Sequence, residues 1–242
     1  MGFRIKHIFQ WNVLKRKLSY TAMVLILISA LSVVSITVTL ILSVLKDEFK
    51  KETCVNIFTV AFTMIGTFLG VMLVILRNMR ETYPLNIIML ILYGACISVA
   101  QGYSIINVCV LVKVGAWAIA FVLLSILVPI GMVIKTDLSK YTSTLVIYFA
   151  AGLFIITAVF TGLMIAGHKK VALVVLMAGV LAILIPIAID FGQLTFGTNF
   201  SYTFYRDYCM ASLALFTTLL AFFVTSSVEV HLIEQLIKNK LL

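Results

Sequence analysis

Asp190 closes a stretch, residues 171–189, that has no charged or hydrogen-bonding side chain, and Pro186 stands one helical turn before it. A carboxylate at the edge of hydrocarbon is costly unless a partner or water meets it, so it is a functional candidate. The plain alternative is that Asp190 marks where a helix leaves the bilayer. On a helix Pro186 and Asp190 share a face, and Pro186 frees the carbonyl four residues earlier, that of Ala182. A kink, a free carbonyl and a carboxylate on one stripe make a candidate cation-coordinating or proton-sensing locus. Oxygen ligands suit calcium, although one carboxylate is too few for a tight site. Asp190 is thus a candidate for transient calcium contact, with no resident cofactor implied. Pro129 frees the Ser125 carbonyl in the same way.

The elements that must position these residues follow from composition. The chain is 63% hydrophobic and 11% charged, with a mean hydropathy of +1.19, outside the range of soluble globular domains. Uncharged stretches cover residues 18–45, 53–76, 82–112, 114–134, 141–167, 171–189 and 208–228, each compatible with the ~20 residues a crossing helix needs. Short strands of alternating polarity are missing, which excludes an outer-membrane barrel. The expected fold is an all-α membrane protein with seven transmembrane helices. A basic cytoplasmic segment, 1–19, precedes a helical membrane domain, 20–229, and a carboxyl-terminal tail, 230–242.

The first apolar run is too long for a signal-peptide core, so it reads as an uncleaved helix. The third and fourth helices are expected near 85–103 and 114–134, with Lys113 between them snorkelling at the interface; a pore-lining Lys113 is the alternative. The loop spanning 190–207 is the longest internal one, leaving no room for a separate soluble domain.

A net charge of +9 comes from Lys and Arg scattered through short loops. That distribution fits anionic headgroups, making the lipid bilayer the partner and excluding nucleic acid. Cys54, Cys96, Cys109 and Cys209 lie in or beside apolar stretches without a C-x-x-C spacing and read as free, buried thiols.

Arg4, Lys6, Lys15, Arg16 and Lys17 precede the first helix, against Lys46, Lys50 and Lys51 after it, which favours a cytoplasmic amino terminus. Seven crossings would place ten basic residues inside and eight outside, whereas six plus a re-entrant last segment would give twelve and six. Both arrangements stay open on charge alone. The tail Lys238-Asn-Lys240-Leu-Leu242 has the Lys-x-Lys-x-x form of a retrieval signal to the endoplasmic reticulum.

Gly66-Thr-Phe-Leu-Gly70 forms a GxxxG pattern that lets helices approach closely, read as packing within one chain. Gly94 with Ser98, and Gly115 with Ala118, offer similar small faces. Enzymatic constellations are lacking: there is no H-E-x-x-H, no Gly-x-Ser-x-Gly elbow and no Gly-rich phosphate loop. His7, His168 and His231 read as tail and loop residues. The chain is therefore read as a non-enzyme. Arg206-Asp-Tyr208 serves as a charged start to the last helix rather than as a receptor signature.

Four segments in order resemble the Bax inhibitor motif, or lifeguard, family of membrane proteins. They are Arg80-Glu-Thr-Tyr-Pro84-Leu-Asn86, Lys135-Thr-Asp137-Leu-Ser139, Ile189-Asp190-Phe-Gly-Gln193, and Asp207-Tyr208-Cys-Met-Ala-Ser-Leu213-Ala-Leu215-Phe216. The resemblance implies a seventh helix central in a bundle of six others. It also implies a calcium leak from an intracellular store, in the endoplasmic reticulum or Golgi, modulating cell death and meeting apoptosis-regulating membrane proteins.

The family pairs its sixth-helix Asp with a second Asp in the seventh helix, and two close carboxylates cannot both ionise easily. Here the second position is Thr218, and Phe191-Gly192 stands where one Thr is expected before Gln193. The family also holds its carboxylates with Arg near helix two, for which Arg80 and Arg77 are the matching positions. Their plain alternative is a basic flank. The gate and pore residues implied are Asp190, Gln193, Thr218, Pro186, Arg80 and Arg77. A non-conducting membrane regulator with the same fold is the alternative function, and the oligomeric state is undetermined.

Asn199-Phe-Ser201 is a glycosylation sequon that is usable only on the lumenal side. With the amino terminus in the cytosol it also lies there, so expression in a glycosylating cell should leave Asn199 unmodified. A glycan-dependent mobility shift lost in Asn199→Gln would reverse the orientation.

Overall fold

The computed structural model describes residues 2–45, 52–76, 78, 81–134, 142–196 and 207–241. Within them lie seven helices: α1 Gly2–Val44, α2 Glu52–Ile75, α3 Leu85–Ser104, α4 Val110–Val133, α5 Thr142–Ile165, α6 Lys169–Phe196 and α7 Tyr208–Leu241. Six contain spans long and apolar enough to cross a membrane, and the stretch Ala150–Ile165 of α5 is apolar as well. The chain is all-α, as its composition requires, and its helices are those of a protein in a bilayer.

Hydrocarbon offers no hydrogen bonds, so the helices must satisfy their own polar groups. Several hydroxyls inside the spans bond back one turn: Ser32 to the Ile28 carbonyl at 2.7 Å, Thr39 to Ser35 at 2.8 Å, and Thr225 to Ala221 at 2.5 Å. This is how α1 and α7 carry many Ser and Thr yet remain continuous.

Helix ends follow local chemistry. Gly167, at φ +83°, closes α5: the Gly167 amide donates to the Met164 carbonyl at 3.1 Å and the His168 amide to Leu163 at 3.0 Å. That is the Schellman arrangement, which needs a left-handed residue. Asp207 opens α7, its Oδ1 accepting from the Met210 amide at 2.9 Å, an N-cap.

Three helices run further than hydropathy implied. Residues 2–19 continue α1, α7 extends through the expected tail, and α6 continues past Asp190 to Phe196. Residues 190–196 of the expected loop are therefore helical. Asp190 sits two turns inside its helix rather than at its exit. The apolar part of α7, Tyr208–Gln235, is 28 residues without a break, rising roughly 42 Å at 1.5 Å per residue. A helix of that length is long enough to cross a hydrocarbon core about 30 Å thick.

Packing singles out α7. Of its span 78% is buried, against 11–39% for the other five. Phe216, Leu219, Leu220, Phe222 and Phe223 are wholly buried, and the Phe223 ring stacks on Trp117 of α4 at 4.3 Å between centroids. Helices α1, α3, α4 and α6 pack on α7, while α2 leans chiefly on α3, and α5 on α6. In lipid such association comes from close van der Waals contact and interhelical hydrogen bonds, not from excluding water.

Gly66 faces Ile97 and Gly70 faces Tyr93, so the GxxxG pattern packs α2 on α3 within the chain. Gly94 meets Leu31 and Phe216. Gly115 differs from expectation, because a Cβ there would meet nothing within 4 Å and Ala118 is exposed. Of the described cysteines Cys96, Cys109 and Cys209, only Cys209 is buried, and Cys109 is exposed just before α4. Cys54's side chain lies outside the described residues.

Because Gly115 packs on nothing, Gly115→Ala should leave stability unchanged or raise it by up to about 1 kcal/mol through helix propensity. Thermal unfolding in detergent measures this; a clear loss would mean that the small face is used.

Candidate functional site

The helix that carries Asp190, α6, crosses α4 closely. A Cβ on Gly192 would lie 2.6 Å from the Val128 carbonyl oxygen and 2.8 Å from Val128 Cα. A Cβ on Gly131 would run into the Ile189 carbonyl oxygen and lie 2.8 Å from the Gln193 amide nitrogen. The two backbones thus touch at reciprocal glycines, both buried. Glycine inside a helix costs roughly 1 kcal/mol, which close packing repays. Both helices contain proline, Pro129 in α4 and Pro186 in α6, and both continue through it.

Asp190 lies between Ile189 and Gly192, half-buried, one turn after the half-buried Pro186. Gln193 is buried and its Nε2 donates to the Ile134 carbonyl at 3.2 Å. Ile134 caps α4 with extended backbone, its amide bonded to the Ile130 carbonyl. The last carbonyls of a helix lack intrahelical partners, and Gln193 supplies one. Gln193 therefore fastens α6 to the end of α4, next to the glycine contact.

Thr218 is buried on α7, with its hydroxyl donating to the Ala214 carbonyl of the same helix at 2.8 Å. Arg77, Arg80 and the segment 135–139 lie outside the described residues. Among the described residues no three His, Cys, Asp or Glu side chains come together as a metal site. His231 is a helix residue, not a loop one: it lies half-buried on α7, its Nε2 2.9 Å from Gln235 Nε2.

The motif around Pro84 and the motif opening α7 meet in space. Asn86 Nδ2 donates to the Tyr208 hydroxyl at 2.7 Å, and the Cys209 thiol lies 3.8 Å from the Asn86 carbonyl oxygen. Two turns on, the Tyr93 hydroxyl is 2.7 Å from Thr217 Oγ1. Helices α3 and α7 therefore run parallel, tied twice.

Lys113 turns into the bundle rather than outward. It is 1% exposed in the first turn of α4, with its Nζ donating to Ser43 Oγ at 2.7 Å and 3.5 Å from the Ile106 carbonyl oxygen. Ser43 is in the last turn of α1, and Ile106 follows the end of α3. Helix carboxyl ends carry partial negative charge and orphan carbonyls, which hold an ammonium inside the bundle where free hydrocarbon would drive it outward. Hydropathy marked only a break at Lys113, because tertiary neighbours decide which way the side chain turns.

The reciprocal glycines were missed in the sequence. Their signal was there: Gly131 two residues after a helix-interior proline, and Gly192 two residues after the carboxylate, both where glycine is unfavourable. Comparison with protein-family models, with curated proteins and with solved structures finds no match. What the site does must be argued from its chemistry.

Gly131→Ala and Gly192→Ala push a methyl group into backbone, which a rotamer change cannot relieve. Each should cost on the order of 1–3 kcal/mol or more, seen as earlier unfolding in detergent. Gly66→Ala, where only the end of the Ile97 side chain must move, should cost less.

Proposed function

We propose that the chain is a calcium, or more generally cation, leak of an intracellular membrane, of the endoplasmic reticulum or Golgi, with a cytoplasmic amino terminus and a modulating effect on cell death. The reading rests on the resemblance of its motifs to the Bax inhibitor motif family, and one observation carries it further. Asp190 is a half-buried carboxylate two turns inside an apolar helix, beside a backbone-to-backbone crossing of two proline-containing helices. Intramembrane carboxylates so placed are typical of ion pathways.

In this reading Asp190 meets the passing cation, and Pro186 supplies the freed Ala182 carbonyl on the same face. Gln193 fixes the register of α6 against α4, while Arg80 or Arg77 supplies counter-charge. The seven helices cross the bilayer with α7 at the centre, and the heavy burial of α7 supports that arrangement.

The gate differs from a two-carboxylate latch. Thr218 stands at the second position and its hydroxyl is already engaged by Ala214, so it cannot share a titrating proton with Asp190. This same observation favours the second reading, a non-conducting membrane regulator that keeps the fold without the gate.

Reconstitution in calcium-loaded liposomes separates them. The leak reading expects flux above empty vesicles, reduced by Asp190→Asn, and without a steep step between about pH 5 and 8, because Thr218 stands where the family has its second titrating carboxylate. No flux across that range would leave the regulator. A sharp transition near neutrality that Asp190→Asn removes would mean another group has replaced the second carboxylate.

A further inference from the structure

Helix α2 leans on α3 and scarcely meets α7, which leaves an open cleft between them. Its volume is about 720 Å³, with Tyr93 and Ile97 as floor, the Thr67 to Ile75 face of α2 on one side, the Met210 to Thr217 face of α7 on the other, and Phe191 of α6 at one end. We propose that this cleft seats one acyl chain of a membrane lipid. The proposal rests on the membrane location of the helices and not on whether the chain conducts.

Size and shape fit. Small-molecule sites run to roughly 300–1,000 Å³, and the α2 wall, nine residues of helix from Thr67 to Ile75, is about 12 Å long. The outer rim is surface that acyl chains already cover, since Phe68 and Ile75 are 62% and 70% exposed on α2. A chain entering the cleft leaves one hydrocarbon environment for another, gaining close contact with aliphatic and aromatic walls.

Water is the competing occupant and is poorly served. A buried water needs two to four polar partners, whereas the central polar groups, Tyr93 and Thr217, are bonded to each other at 2.7 Å, and Thr217 also donates to the Leu213 carbonyl. Gln101 lines the cleft one turn before α3 ends, and its Oε1 is buried with no hydrogen-bond partner among the described residues. That oxygen can accept from a hydroxyl or amine on the lipid head, directing the tail along the cleft toward Phe191.

The test uses the full chain in phosphatidylcholine vesicles doped with a phospholipid bearing a photoactivatable diazirine in its acyl chain. Photolysis after transfer to detergent, when bulk lipid has been removed, should leave adducts on Ile97, Leu213 and Ala214 severalfold above those on Phe154 and Ile155, which face outward on α5. Val74→Trp, placed on the exposed edge of α2, should fill the cleft and abolish the retained adducts. Labelling of Phe154 and Ile155 in intact vesicles should stay unchanged, which reports folding; Thr67→Phe is the second filling variant should Val74→Trp misfold.

Equal loss of both sets of adducts in detergent, or retained adducts indifferent to filling, would overturn the proposal. So would rapid modification of Thr217→Cys by a charged methanethiosulfonate reagent, which would make the cleft wet.

Discussion

Backbone groups in a hydrocarbon slab must find their partners within the protein, and the rest of this fold follows from that requirement. It forces long unbroken helices through the apolar stretches. It also directs the hydroxyls of Ser32, Thr39, Thr218 and Thr225 back onto their own helices. Where helices end inside the bundle, the orphan carbonyls recruit side chains from elsewhere: Gln193 at Ile134, and Lys113 beside Ile106. The polar residues that look out of place in the sequence are largely those that complete this accounting.

A second constraint concerns distance. In lipid there is no water to squeeze out, so helices hold together only where they fit closely. The bundle achieves this in two ways. Around α7 it uses large rings and branched chains, with Phe216, Phe222, Phe223 and Trp117 at the centre. Between α4 and α6 it does the opposite, removing side chains at Gly131 and Gly192 so that backbone meets backbone. Asp190 lies in sequence between Ile189 and Gly192, two residues of the second kind of contact. The cleft between α2 and α7 is the counterpart, a place where the fit is left open toward the acyl chains.

The sequence was most legible where local chemistry decides. The charged start read at Arg206-Asp-Tyr208 holds the Asp207 cap of α7, and the GxxxG read as packing within one chain sets Gly66 and Gly70 against α3. It was less legible at Asp190. A charge after a long apolar run looks like the end of a helix, but α6 continues through Gly192 and Gln193. Backbone bonding and the packing against α4 support those extra turns, and hydropathy sees neither. Gly115 erred in the other direction, a small residue that no neighbour approaches.

From the sequence alone came the all-helical membrane class, the approximate limits of most spans, and Asp190 with Pro186 as a stripe on one helix. These are properties of contiguous residues and of the bilayer as solvent, so order along the chain is enough. Only the tertiary structure decided which helix is buried by the others, that Lys113 turns inward, and that Asn86 meets Tyr208 across 122 positions. It also decided that the carboxylate stands beside touching backbones. Those outcomes depend on which faces pack together, and in an apolar chain almost every face is a permissible contact until shape selects one.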